Sequence, residues 1–245
     1  MREQPTIQEQ ASFFDEWNEK HRSVDFDEIE PESKARAERV LRSLGSLPIN
    51  RPMILEVGCG TGWLTQRLLG LGPTTAIDLS PRAIEIARRR GLDVEFIAGD
   101  FYEHEFPPGH FDVGVCIEVV STVPKQPLFI AKLAAAIKPG GYLVLTSQNK
   151  FIYNRRPDIR PQQTGNIRQW LSRRELRGLL ATEFRILQMT TIRPKEGRGV
   201  ILRIAHSYKL NRLLECFLSQ AKIDGIKEWL GLGQTWVILA QRLGS

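Results

Sequence analysis

One stretch constrains this chain more than any other: an apolar strand that ends beside a carboxylate and runs into three alternating glycines. Residues 54–63 read ILEVGCGTGW, with Glu56 near the strand end and Gly58, Gly60 and Gly62 following. Glycine lacks a Cβ, so such a turn can take up left-handed backbone and press against a ligand. A helix is expected next, over Trp63 to Leu71. A strand, a glycine turn and a helix in that order open a βαβ unit, and with it a largely parallel sheet.

The dinucleotide fingerprint places its third glycine three residues after the second, for close helix–strand packing. Here that position is Trp63. A pyrophosphate at the helix N-terminus would also meet Glu56, which repels it. No lysine–hydroxyl pair follows the glycines, which argues against a Walker-type nucleotide loop. A carboxylate at the mouth of the turn suits a cationic ligand. S-adenosylmethionine carries an ammonium and a sulfonium and no phosphate.

The E-V-G-C-G-T-G stretch resembles motif I of the class I S-adenosylmethionine-dependent methyltransferases. Further matches follow in the family's order. TTAIDLS holds Asp78 at the end of a second strand, at a spacing that suits a carboxylate accepting from ribose hydroxyls. VEFIAGDF, FDVGVCIEV and IKPGGYLVLTS look like the third, fourth and fifth strands. The resemblance covers about residues 40–192 and the last strand. It implies that Gly58, Cys59 and Gly60 approach the methionine part of the cofactor and that Glu56 holds its ammonium. It assigns Asp78, with Leu79 beside it, to the ribose, Asp100 to the adenine amino group and Phe101 to the adenine slot. Ile117 and Glu118 border the methionine moiety and the acceptor. By topology Asn149 and Tyr153, after the fifth strand, line the acceptor site, and His206 lies where a substrate lid would sit.

The expected fold is α/β: a Rossmann-like, seven-stranded, mostly parallel sheet with helices on both faces. The expected organisation is one methyltransferase domain, with N-terminal helices over 1–45, a cofactor-binding core over 46–192, an insertion over 193–234 and the last strand over 235–245. The resemblance implies that the insertion and the N-terminal helices together cap the substrate. Helices are read over Gln8–Lys20, Pro31–Leu44, the segment after Ser80 and Pro81, Leu128–Ile137 and Ser172–Ala181. Strands are read over Met53–Val57, Thr75–Ile77, Val94–Ile97, Val113–Ile117, Tyr142–Thr146, Phe184–Thr191 and Thr235–Gln241. The polar, proline-bearing segment from Phe151 to Asn166 reads as a functional loop or lid. The first few residues read as poorly ordered.

Composition narrows the partners. At 245 residues the chain can bury a sizeable core, and its apolar runs are too short to span a bilayer. MREQPTIQEQ shows no apolar signal region, and the 3 cysteines form no C-x-x-C pair, so a reduced, cytoplasmic setting is expected. The net charge of +6 is modest and its arginines are dispersed without interleaved aromatics, which argues against nucleic acid. The place after strand four reads IEVVSTVP, without the N/D-P-P-Y/F motif of base-amino methyltransferases.

The nearest-looking relatives are small-molecule methyltransferases of quinone and natural-product tailoring type. Quinone O-methyltransferases carry E-x-x-E/D-H after strand four. Here Glu118 is present, but Ser121 and Thr122 occupy the other places, so no required metal is expected. Methyl transfer to a small-molecule acceptor, favouring oxygen, is the reading the resemblance implies. A methyltransferase acting on RNA or protein, and an NAD-binding oxidoreductase, are the alternatives. No catalytic base is assigned; His21, His104, His110 and His206 are the 4 histidines. A homodimer through the insertion helices stays open.

Overall fold

The computed structural model describes residues 4–21, 25–156, 165–194 and 198–244. The first three residues and most of the polar loop after Tyr153 lie outside them. In chain order the elements are α1 (Ile7–His21), α2 (Pro31–Gly45), β1 (Ile54–Val57), α3 (Thr65–Leu69), β2 (Thr74–Asp78), α4 (Pro81–Arg88) and β3 (Glu95–Ala98). There follow β4 (Phe111–Ile117), α5 (Gln126–Ala136), β5 (Ile137–Gln148), α6 (Lys150–Tyr153), α7 (Arg173–Leu180) and β6 (Phe184–Pro194). The insertion supplies α8 (Val200–Ala205), α9 (Tyr208–Glu215) and α10 (Gln220–Trp229), before β7 (Gly233–Arg242).

The seven strands form one sheet in the order β3-β2-β1-β4-β5-β7-β6. The five strands from β3 to β5 pair in parallel, whereas β7 runs antiparallel between β5 and β6. Strand order reverses between β1 and β4. This switch point opens a crevice beyond the carboxyl ends of the strands, where ligands of such sheets bind.

Alternating side chains build a core on each face. Leu55, Val57, Cys116, Leu143 and Leu145 pack under α5 and α7 with Phe129, Leu133 and Leu176. Ile54, Val113, Val115 and Val144 pack on the other face with Ala37, Val40, Leu64 and Leu68 of α2 and α3. Each fully buried Leu, Ile, Val or Phe contributes about 1.5–3 kcal/mol. Period two also turns Glu56 to the face of Ile54, toward α3.

The helix signals work locally. Ser80 accepts from the Ala83 N–H at 3.0 Å and Pro81 occupies the first turn of α4. Ser172 and Glu175 close a reciprocal capping box on α7.

Three boundaries differ from expectation. The helix after the glycines begins at Thr65, because the turn needs positive φ at Gly58, Gly60 and Gly62 and occupies more chain. β5 begins at Ile137, since Ile137 pairs with Phe111 across a bulge before Pro139. The insertion, read as a cap, packs instead on the far edge of the sheet through α10 against β6.

Candidate functional site

A cavity of about 520 Å³ opens at the β1/β4 switch point. One end of it is built by the turn after β1. The Gly58 N–H donates to the Ile77 carbonyl at 2.8 Å and its φ is +79°. A Cβ at Gly58 would lie 2.1 Å from Val119 Cγ2, so only glycine fits. The Gly60 N–H donates to Asp78 Oδ2 at 2.7 Å, while Ser80 N–H donates to Asp78 Oδ1 at 2.9 Å. Asp78 therefore fastens the turn to the start of α4. Each carboxylate oxygen has a second lone pair, which leaves capacity for ribose hydroxyls.

Glu56 is buried, and Thr65 Oγ1 donates to its Oε2 at 2.5 Å. Burial pushes the Glu56 carboxyl up to about 8, and the charge of Asp78 adds to the shift. Asp78 is raised by the same cause, burial. Neither carboxylate has a cationic side chain within ion-pairing distance among the described residues. A buried and a half-buried carboxylate without a cationic partner in one crevice fit a ligand that brings its own positive charge. They do not fit a pyrophosphate.

Leu79, Asp100, Phe101 and Ile117 also line the cavity, as expected. Asp100 Oδ1 accepts from the Tyr102 N–H at 2.9 Å, which holds its carboxylate in place beside the cavity. Phe101 packs on Phe129 at 5.1 Å between ring centroids, so it is both core and wall. Glu118 and Tyr153 line the opposite end. Glu118 has φ +62°, unusual for a side chain of its size, and donates its N–H to Thr146 Oγ1 at 3.0 Å. Thr146 Oγ1 in turn donates to Glu118 Oε1 at 3.2 Å.

Three expected site residues lie elsewhere. The Cys59 side chain points away into a cluster with Ala76, Ile84, Ala87 and Phe96, and burial raises its thiol well above the ordinary range. Only its backbone belongs to the turn. Asn149 is fully buried: it caps α6 and donates to the carbonyls of Gly231 and Gly233 at 2.9 and 2.8 Å. It ties β5 to the start of β7 instead of lining the acceptor site. His206 follows α8 and does not reach the cavity, and among the described residues no insertion residue does.

The wall over the cavity comes from α1 and from the segment before α7. Phe13, Phe14, Trp17 and Asn18 of α1 line it, as do Arg168 and Trp170. Asp15, on α1, accepts from Ser80 Oγ at 2.5 Å and from the Arg82 N–H at 3.1 Å, which pins the helix to the start of α4. The spacing of Gln10, Phe13, Trp17 and Asn18 marks one helical face, a signal present in the sequence and left unused.

Residues 54–141 match the family model described as "Methyltransferase domain". Over those residues the chain is similar to the class I S-adenosylmethionine-dependent methyltransferases. Among curated relatives, a ubiquinone biosynthesis O-methyltransferase of Thiobacillus denitrificans is 34% identical over 110 residues, 42% of this chain and 47% of that protein. A ubiquinone biosynthesis O-methyltransferase of Xanthomonas euvesicatoria pv. vesicatoria is 35% identical over 109 residues, 40% of this chain and 43% of that one. The chain thus spans less than half the length of the curated relatives it matches. Solved structures share the methyltransferase fold across nearly the whole chain. The N-methyltransferase NodS of Bradyrhizobium japonicum, in complex with S-adenosylhomocysteine, has a TM-score of 0.60 at 18% identity, covering 95% of this chain and 99% of that one. The cyclase SpnF has a TM-score of 0.68 at 20% identity, covering 99% and 98%. That likeness shows the fold alone.

Proposed function

We propose that this methyltransferase domain binds S-adenosylmethionine in the β1/β4 crevice and transfers its methyl group to a small-molecule acceptor, at oxygen. The observation that carries the reading is a pair of carboxylates, the buried Glu56 and the half-buried Asp78, set around a glycine turn with no cation of their own. Glu56 takes the ammonium, Asp78 the ribose, and Asp100 with Leu79 and Phe101 the adenine. The curated O-methyltransferase relatives support oxygen as the acceptor atom.

When bound, the cofactor supplies an electrophilic methyl group. What remains for the protein is to align the acceptor with it, and positioning of this kind is worth roughly 7–11 kcal/mol. Aromatic walls from Phe14, Trp17, Tyr153 and Trp170 suit a planar or apolar acceptor. Burial, reinforced by the charge of Glu118, raises the Tyr153 hydroxyl to about 12, so it stays protonated and is available to donate to an acceptor. Glu118 is the group at that end placed to take a proton from an acceptor hydroxyl. The domain offers no set of three or more metal-ligating side chains among the described residues. Its buried thiols, Cys59 and Cys116, are unbridged, which supports a reducing, cytoplasmic setting.

The test is turnover of labelled S-adenosylmethionine over a panel of catechols, phenols and matched aromatic amines. The proposal expects the label on oxygen of a hydroxylated acceptor. Label only on the amines would overturn the oxygen assignment, and no transfer to any acceptor, with cofactor bound, would overturn the activity.

A further inference from the structure

The insertion helices present an apolar face that the rest of the chain does not cover. α9 has hydrophobic residues along one side, yet none of its residues is buried. An amphipathic surface helix ordinarily turns its apolar stripe to the core. Here Tyr208 is 74% exposed, Leu213 60% and Phe217 79%. The exposed face continues onto α8 through Val200, Ile201 and Ile204, and onto α10 through Trp229, which is 70% exposed. α8 and α10 both pack against α9, so these side chains belong to one neighbourhood. Leu202 of α8 turns inward onto Ile152 and Leu232, with Ala205 packed against the same cluster.

Charge decides what this face fits. From residue 198 to the end of α10, Arg198, Arg203, Lys209, Arg212 and Lys222 stand beside the acid Glu215, while Asp224 pairs with Lys227 and Glu228 with Arg39. All five cations are exposed, and none pairs with a carboxylate among the described residues. Apolar residues interleaved with cations on short helices match the boundary layer of an anionic bilayer, where rings and aliphatic chains enter the acyl region and cations meet the headgroups. A second copy of the chain fits poorly, because a two-fold contact would set these cations against their own images. We propose that the α8–α10 face is a peripheral docking surface for anionic lipid membranes. None of its residues lines the cofactor cavity, so it is separable from the proposed catalytic site.

The experiment is co-sedimentation of the full chain with phosphatidylcholine vesicles containing phosphatidylglycerol, and with phosphatidylcholine alone, at low and high salt. Two double variants accompany the wild type: Leu213→Glu with Phe217→Glu, and Arg203→Glu with Arg212→Glu. Binding of S-adenosylhomocysteine and the circular dichroism spectrum show that each variant is folded. The expected result is binding to the anionic vesicles only, weakened by salt. Partitioning should fall at least about tenfold in either variant, with the fold unchanged. Absence of binding to anionic vesicles overturns the proposal. So does equal binding to neutral vesicles, or a dimer in light scattering that the Leu213/Phe217 variant dissociates while vesicles go unbound.

Discussion

Glu56 is the residue on which the account turns, and its pH dependence can be worked out. Its carboxyl lies at about 8 in the folded protein against an ordinary 4.5, so between those values the folded state holds a proton that the unfolded state releases. The stabilisation is complete below about pH 4.5 and is lost as pH rises toward 8, so the ligand-free melting temperature should carry a falling component across that window. A cationic ligand needs the ionised form. Affinity for S-adenosylhomocysteine should therefore rise nearly tenfold per pH unit up to about 8 and then level off, and titrations near pH 7 in buffers of different ionisation enthalpy should show proton release. A flat profile in the wild type, or a pH-dependent one that persists in Glu56→Gln, would contradict this role. Gly58→Ala places a methyl 2.1 Å from Val119 Cγ2 at a φ of +79°, and cofactor binding should fall at least tenfold. Glu118→Gln should lower kcat by about 10²-fold while leaving S-adenosylhomocysteine affinity unchanged. Glu56, Gly58, Gly60 and Asp78 were legible in the sequence because their chemistry is local to one turn. Asn149 was not, because its direction is set by carbonyls of Gly231 and Gly233, more than 80 residues away.

At the scale of elements, the strand–helix alternation was readable because period-two apolar runs and caps such as Ser80 and Ser172 are short-range signals. Capping predicts that Ser172→Ala costs about 1 kcal/mol, measurable by denaturant unfolding. Less readable was which helices would cover the site. The insertion has helical periodicity, but a periodicity does not say what a helix packs against, and α10 settled on β6 at the sheet edge. Of the expected cap, the N-terminal part covers the cavity through α1, and one side chain shows how it is held: Asp15 spans 65 residues to Ser80. In Asp15→Ala the helix loses its anchor to α4. Stopped-flow release of S-adenosylhomocysteine should become several-fold faster, with a stability loss of roughly 1–2 kcal/mol. An unchanged release rate would mean that α1 does not gate the crevice.

At the scale of the whole molecule, the reversal of strand order between β1 and β4 puts Glu56, Asp78, Asp100 and Glu118 around one crevice, although they span more than 60 residues of chain. Parallel connectivity made that gathering inferable before any contact was seen, since each lies at or just beyond the carboxyl end of a strand. The far side of the molecule was beyond such reasoning, because exposure of α9 depends on what the whole sheet leaves uncovered. With no cluster of three or more metal-ligating side chains among the described residues, methyl transfer should withstand EDTA, and loss of activity restored by magnesium would argue for a metal. The most direct test of the central claim is calorimetric titration of the chain with S-adenosylhomocysteine and, separately, with NAD, each repeated on Asp78→Ala. The account predicts micromolar binding of S-adenosylhomocysteine, weakened at least tenfold in the variant, and no binding of NAD. Binding of NAD with S-adenosylhomocysteine inert would contradict it and return the crevice to the dinucleotide-binding class.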